Sequence, residues 1–149
     1  MAPTGDDGLV LLLRAIDIAA KAHRKQRRKD DKETPYINHP IEVARILADE
    51  GGVDDPEIIT AALLHDTVED TATSLDEIRG AFGDRVARIV GEVTDDKSLP
   101  KVERKRLQII HASEISRGAR LVKLADKISN LRGLRSSVPK GWDAARVRG

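Results

Sequence analysis

Apolar residues recur along this chain mostly at helical spacing, and no segment alternates for long at period two. In residues 9–26 one apolar stripe is expected to face the core, and it consists of Leu12, Ile16, Ala19, Ala20 and His23. The run Ile58–Leu64 is apolar nearly all round, which predicts a buried central helix. The pattern therefore predicts an all-α protein, a compact bundle of several helices.

Proline, glycine and capping residues divide this pattern into separate helices. Residues 27–38 are polar and contain Pro35, so we expect a loop there. Pro40 suits the first turn of a helix through about Asp49, and Asp55-Pro56-Glu57 is a start signal for the central helix. The other predicted helices run from a capping box at Ser74-Leu75-Asp76-Glu77 to Phe82, over residues 84–93, from Pro100 to about Ile115, and over residues 119–134.

Composition fits one globular domain, which we expect to cover residues 1–149. Hydrophobic residues make up 40% of the chain and charged residues 34%, a balance that is typical of folded proteins. With one Phe, one Trp and one Tyr, the core must be aliphatic, which favours helices over strands. The absence of cysteine excludes disulfides and thiolate metal sites, and it fits a reducing compartment such as the cytoplasm.

Charge and hydropathy argue against two classes of partner. The net charge is +1, so the surface as a whole is not a trap for polyanions. The basic run His23–Lys29 is followed by acidic residues and has few aromatic neighbours, which argues against a nucleic-acid platform. The apolar stretch Leu9–Leu13 is too short to span a bilayer and does not follow a basic segment. We therefore expect a cytoplasmic protein that binds neither nucleic acid nor membranes.

Two imidazoles and two carboxylates are the strongest chemical signal. His65-Asp66 closes the central apolar run, where unpaired charges would be costly, and Asp126 lies within an apolar helical pattern. Together with His39 they form a mixed nitrogen and oxygen ligand set that a helix bundle can bring to one divalent cation. The alternatives are a structural His–Asp hydrogen bond at residues 65 and 66 and a surface ion pair of Asp126 with Lys123 or Lys127.

Two further carboxylates follow the dipeptide. Glu69 and Asp70 could orient a water molecule beside a metal and accept its proton, although an acidic, solvated turn is the common alternative. Beside a metal, the basic run His23–Lys29 has a specific use, which is to bind phosphates. Among the other histidines, His23 is expected to be a packed or hydrogen-bonded core residue and His111 to be exposed.

The ordered set of motifs resembles the HD superfamily of metal-dependent phosphohydrolases. Within it, the chain resembles the RelA/SpoT-type (p)ppGpp hydrolase domain, and particularly the small stand-alone alarmone hydrolases that include the metazoan SpoT homologue. The resemblance extends over roughly residues 9–147. It rests on segments 22–40, 61–70, 93–97 and 122–132, which contain Tyr36-Ile37-Asn38-His39-Pro40, His65-Asp66-Thr67-Val68-Glu69-Asp70 and Leu124-Ala125-Asp126-Lys127.

This resemblance implies a site and a reaction. Mn²⁺ would be held by His39, His65, Asp66 and Asp126, although Fe²⁺ or Zn²⁺ could also bind such ligands. Glu69 and Asp70 would carry the catalytic water and the proton transfers. The implied substrate contacts are Arg28 and Lys29 beside the base, Asn130 at the ribose or base, and Lys101 and Arg146 at the phosphates.

The implied reaction removes the 3′-pyrophosphate of (p)ppGpp, a small-molecule nucleotide, and yields GDP or GTP and pyrophosphate. An NADPH 2′-phosphatase or another HD nucleotide phosphohydrolase is the alternative within enzymes. A non-catalytic nucleotide-binding HD module is the alternative outside them, and a basic helical nucleic-acid binder is a further one.

The chain departs from the family pattern in two places. Residue 129 is Ser, where many relatives have a larger side chain, which predicts a different pocket wall. Relatives also continue with an aromatic-rich helix beyond the position of Gly149. Without that helix we expect an exposed apolar patch and a more open pocket, with self-association into a homo-oligomer, binding of a partner's helix or marginal stability as consequences.

Overall fold

The computed structural model describes residues 5–29, 32–95, 98–111 and 114–136, and their secondary structure is helical apart from one isolated bridge between Arg27 and Pro35. The helices are α1 (Gly5–Ala22), α2 (Asn38–Arg45) with a π-helical extension (Ile46–Glu50), α3 (Pro56–Leu64), α4 (Thr67–Asp70), α5 (Leu75–Phe82), α6 (Asp84–Val93), α7 (Lys101–His111) and α8 (Arg117–Ser136). The all-α prediction is confirmed. No described helix has the length and apolarity that crossing a bilayer requires.

Helix α3 is the centre of the bundle. Its first turn is capped by Asp55, whose side chain accepts a hydrogen bond from the Glu57 N–H, and Pro56 occupies a position that needs no N–H partner. Every residue from Ile58 to Leu64 is buried, as the sequence predicted, and α3 packs against α1, α2, α6 and α8. Because each large aliphatic side chain contributes about 1.5–3 kcal/mol on full burial, this helix is a main source of stability.

Helices α1 and α8 are rotated relative to the sequence-based expectation. In α1, Ala15 and Ala19 are fully buried, whereas Ile16, which was expected to face inward, is 36% exposed. Small residues face α3 because α1 approaches it closely, and a Cβ at Gly8 would lie 3.0 Å from Pro56 Cγ. In α8, Leu124 was expected on the core side but is 58% exposed, while Val122 and Ala125 are buried.

Several helix boundaries also differ from those predicted. Helix α2 begins at Asn38, so Pro40 lies in its first turn as predicted, and its π-helical extension ends with a hydrogen bond from the Gly51 N–H to the Ile46 carbonyl. The described part of α7 ends at His111 rather than near Ile115, and α8 begins at Arg117. The Ser74 cap is confirmed, since its Oγ accepts from the Glu77 N–H at 3.1 Å.

Candidate metal centre and active site

Three helices bring the predicted metal ligands to one point. His39 lies in the first turn of α2, His65 and Asp66 follow the end of α3, and Asp126 lies in the middle of α8. One ligand atom from each residue lies within 4.8 Å of the others. The structure therefore gathers residues that are up to 87 positions apart in the chain. As a set of two imidazoles and two carboxylates, they form a candidate site for a divalent cation.

The distances centre on one oxygen of Asp126. Its Oδ1 lies 2.6 Å from His39 Nε2 and 3.2 Å from His65 Nε2, and Asp66 Oδ2 lies 3.1 Å from the same His65 nitrogen. Ligand atoms bound at about 2.1 Å to one ion are roughly 3 Å apart, so this spacing fits a shared cation. Among the described residues, Asp126 forms ion pairs with the two histidines and not with Lys123 or Lys127.

Both imidazoles are oriented through their other ring nitrogen. His65 Nδ1 lies 2.6 Å from the Ala62 carbonyl, which can only accept, so Nδ1 carries a proton and Nε2 is the nitrogen that faces the carboxylates. His39 Nδ1 lies 3.1 Å from Ser129 Oγ, a side chain that is itself buried. Ser129 thus contacts a ligand, and it is not one of the residues that line the described pocket. Such partners fix ring orientation in metal sites.

The cluster is strongly coupled when no cation is bound. Burial alone would lower the pKa of His65, but hydrogen bonds to Asp126 and Asp66 outweigh burial and raise its pKa to about 10. Burial would raise the pKa of both carboxyls, yet hydrogen bonds with the histidines hold the pKa of Asp66 and of Asp126 below the ordinary value. A proton on His65 therefore supplies the positive charge that a metal ion would replace.

Tyr36 is a site residue that the sequence analysis did not single out. Its hydroxyl donates a hydrogen bond of 2.6 Å to Asp66 Oδ2. Burial and the nearby Asp66 carboxylate raise the pKa of Tyr36, so the phenol stays a donor. A signal existed, because a lone tyrosine in a helical protein, three residues before a candidate ligand, needs a polar partner when it is buried.

Gln26 joins the basic run to the acidic turn. Its Oε1 lies 2.8 Å from His23 Nδ1, and its Nε2 donates to the Asp70 carbonyl at 2.7 Å. The Gln26 carbonyl also accepts from the Tyr36 N–H at 3.0 Å. His23 is 1% exposed, which confirms its prediction as a core residue. The contact with Asp70 spans 44 positions, so sequence alone could not reveal it.

The two candidate catalytic carboxylates are on α4, a single helical turn. Glu69 lines a pocket together with the metal-ligand candidates His65, Asp66 and Asp126. Asp70 is half-buried and is not among the residues that line this pocket, although its carboxylate is close enough to Tyr36 to raise the pKa of the phenol. Of the two candidate carboxylates, Glu69 is therefore the one that shares a pocket with the candidate metal ligands.

The predicted substrate contacts are only partly gathered. Arg28 Nη2 donates to Asn130 Oδ1 at 3.2 Å, so these two residues, 102 positions apart, meet on α8 one turn after Asp126. Lys29 and Lys101 are exposed, and neither lines the described pocket. Arg146 lies outside the described residues. The other lining residues, which were not predicted as site residues, are Val93, Asp95, Gln108, Val122, Lys123 and Lys127.

Comparisons with known proteins give matches over most of this chain. The sequence model of the HD domain family matches residues 15–147. A human protein named guanosine-3′,5′-bis(diphosphate) 3′-pyrophosphohydrolase MESH1 is 61% identical over 137 residues, which cover 92% of this chain and 76% of the human protein. The Drosophila melanogaster protein of the same name is 52% identical over 134 residues, which cover 90% of this chain and 75% of that protein.

A solved structure shows the same fold. It is the structure of a metazoan orthologue of SpoT, described as hydrolysing ppGpp and as playing a role in starvation responses. The two chains superpose with a TM-score of 0.89 at 47% sequence identity, and the match covers 99% of this chain and 80% of the other.

Proposed function

Since this chain belongs to the HD domain family, we propose that it is a metal-dependent phosphohydrolase that removes the 3′-pyrophosphate of (p)ppGpp. The observation that carries the proposal is the cluster of His39, His65, Asp66 and Asp126 with Glu69 beside it, in a chain that is 61% identical to a protein named for this reaction. The products are GDP or GTP and pyrophosphate.

We further propose Mn²⁺ as the ion, with those four residues as its ligands. The ligand set is mixed, with imidazole and carboxylate donors and no sulfur, which suits manganese and does not exclude iron or zinc. When bound, the ion supplies a Lewis acid that acidifies water and neutralises phosphate charge. Tyr36 orients the Asp66 carboxylate by its hydrogen bond, and Ser129 and the Ala62 carbonyl orient the two imidazoles.

The remaining chemistry is proton transfer at the two oxygens that enter and leave the phosphorus. Hydrolysis forms a bond between the water oxygen and phosphorus and breaks the bond between the 3′ oxygen and phosphorus, so a base must take a proton from water and the 3′ oxygen must receive one. Glu69 lies beside the metal ligands and is the proposed base. Asp70 is the proposed partner in proton transfer, and the hydrogen bond from Gln26 holds its backbone in place. Arg28 and Asn130 are the proposed contacts of the nucleoside.

The decisive experiment is release of pyrophosphate from ppGpp by the full chain after removal of metal and reconstitution with Mn²⁺, Fe²⁺ or Zn²⁺. We expect pyrophosphate and GDP in equal amounts, dependent on metal and highest with Mn²⁺. NADPH in the same panel tests the 2′-phosphatase alternative. A folded, metal-loaded protein that releases phosphate from NADPH but no pyrophosphate from ppGpp would overturn the proposal, and a protein that binds nucleotide without turnover would indicate the non-catalytic module.

A further inference from the structure

The pocket extends beyond the metal cluster along α8. Lys123 lies three and four residues before Asp126 and Lys127, and these two lie four and three residues before Asn130, so the four residues lie along one face of this helix. Asn130 meets Arg28 at one end of that face, and Asp126, one of the four candidate metal ligands, lies in the middle of the face. Lys123 and Lys127 line the pocket together with His65, Asp66 and Glu69.

Neither lysine has a structural task within the part of the chain that the structure describes. No hydrogen bond or ion pair found there involves the ammonium of Lys123 or of Lys127. The neighbouring acids have other partners, since Asp126 pairs with the histidines and Asp95 accepts from Gln108 Nε2 at 2.8 Å. Two lysines with flexible side chains therefore line the pocket, and the ammonium of each has three donors to offer a ligand.

The chemistry of the pocket selects the ligand class. Two lysines in the wall of a pocket beside a candidate cation site suit a ligand with several anionic oxygens, and a diphosphate has enough of them to contact the cation and both ammonium groups. Along α8, Lys123 lies one turn before Asp126, on the side away from the Arg28–Asn130 contact, and Lys127 lies next to Asp126, between it and Asn130. A nucleotide with its base at that contact and its reacting phosphorus at the metal ligands would pass Lys127 and extend its leaving group toward Lys123.

We infer that Lys123 and Lys127 bind the diphosphate that leaves, the 3′-pyrophosphate of the substrate. This assignment of the ligand rests on the proposed function. The simpler alternative is that the two lysines only balance the carboxylates of Asp66, Glu69, Asp95 and Asp126, which line the same pocket. Charge balance alone predicts that loss of a lysine changes metal binding or stability and has no selective effect on pyrophosphate.

The test compares Lys123→Gln and Lys127→Gln with Lys105→Gln, a matched change at an exposed lysine of α7 that does not line the pocket. Binding of inorganic pyrophosphate to each full-length, Mn²⁺-loaded protein is measured by calorimetry. Chelation of Mn²⁺ by pyrophosphate contributes equally to all variants, so only differences are interpreted. Each pocket variant should bind pyrophosphate about tenfold more weakly or worse, because a charge-assisted hydrogen bond is lost, and Lys105→Gln should match the wild type.

Inhibition by products then identifies which diphosphate the lysines hold. In ppGpp hydrolysis, the inhibition constant of pyrophosphate should rise by a similar factor in both pocket variants, and that of GDP should change less than twofold. If inhibition by GDP is weakened and inhibition by pyrophosphate is not, the lysines bind the 5′-diphosphate and the inference is wrong. Lys123→Arg and Lys127→Arg, which keep the charge, should recover most of the pyrophosphate affinity.

Metal content separates the inference from charge balance and from the proposed function. The inference requires that the pocket variants keep wild-type metal content and melting temperature, and a parallel loss of metal and pyrophosphate would overturn it. Calorimetry does not depend on turnover. If the protein binds pyrophosphate through the lysines but leaves ppGpp intact, only the proposed function is contradicted. If it hydrolyses ppGpp and both variants bind pyrophosphate as the wild type does, only this inference is contradicted.

Discussion

The imidazole of His65 lies between the carboxylates of Asp66 and Asp126, and its protonation affects the folding stability of the metal-free protein. Its pKa is raised from 6.5 to about 10, so between these values the folded state holds a proton that the unfolded state releases. The contribution of His65 to folding stability is therefore complete below about pH 6.5 and is lost as the pH rises through about 10.

Urea unfolding in the presence of a chelator should accordingly show a free energy of unfolding that falls as the pH is raised across this window. The variant His65→Gln, which cannot bind the proton, should have a flatter profile over the same pH range. Identical slopes in the wild type and the variant would show that other groups cause the pH dependence.

Glu69 can be tested without disturbing the metal cluster. Glu69→Gln has nearly the same size, but an amide cannot accept the proton from water, so we expect wild-type metal content and a fall in kcat of about a hundredfold or more. Metal analysis and ppGpp turnover are measured on the same sample. Wild-type turnover by this variant would reduce Glu69 to a residue of an acidic turn.

Tyr36 should act on the metal through Asp66. Tyr36→Phe keeps the ring that contacts His23 and His39 but removes the hydroxyl that lies 2.6 Å from Asp66 Oδ2. Loss of such an outer hydrogen bond costs about 10–100-fold in metal affinity. A titration of the metal against a competing chelator measures the effect, and an unchanged dissociation constant would mean that the ligands alone position Asp66.

At the scale of the helices, the position of α8 depends on a close approach at Gly118. A Cβ there would lie 2.9 Å from Ile89 Cδ1 and 3.3 Å from Ile58 Cγ1, and both isoleucines are buried. Because α8 carries Asp126, this contact between α8, α6 and α3 sets the depth of one metal ligand in the bundle.

Gly118→Ala should therefore destabilise the protein by roughly 1–2 kcal/mol through overpacking. Gly80→Ala in α5 is the matched control, since no neighbouring atom in the described part of the chain lies within 4 Å of its Cβ position, and it should be neutral or stabilising by up to about 1 kcal/mol. Chemical unfolding measures both changes. Equal effects of the two substitutions would show that α8 can shift to accommodate the methyl group.

At the scale of the whole molecule, the four candidate metal ligands come from parts of the chain that separate on unfolding. They belong to α2, the end of α3 and α8, so a metal ion binds the folded chain and stabilises it. At a free-metal concentration of about one hundred times the dissociation constant, the gain is about 2.7 kcal/mol, which corresponds to a rise in Tm of roughly 5–10 °C.

Chelation should reverse this rise, and His65→Ala should abolish it together with bound metal and activity. His111→Ala, at an exposed histidine of α7, is the matched control and should respond to metal as the wild type does. Full metal occupancy in His65→Ala would remove that residue from the ligand set.

Local signals in the sequence account for most of the helices. The apolar run Ile58–Leu64 could only be a buried segment, and the caps at Asp55 and Ser74 start helices where they were predicted. These features depend on neighbours within one or two turns, so the sequence contains their cause. The rotation of α1 and α8 about their own axes could not be predicted from the sequence, because the exposures of Ile16 and Leu124 depend on how closely each helix approaches α3 and α6.

The candidate site divides in the same way. The sequence allowed four ligand candidates to be selected, because charged or imidazole groups beside apolar runs need a partner. They are His39, His65, Asp66 and Asp126, and they occur in the order of the family's motifs. Only the folded chain decided that Tyr36 donates to Asp66, that Gln26 holds Asp70, and that Lys123 and Lys127 line the pocket without a partner of their own in the described part. These contacts depend on how the helices pack and on where the long side chains turn, and neither is encoded by local spacing.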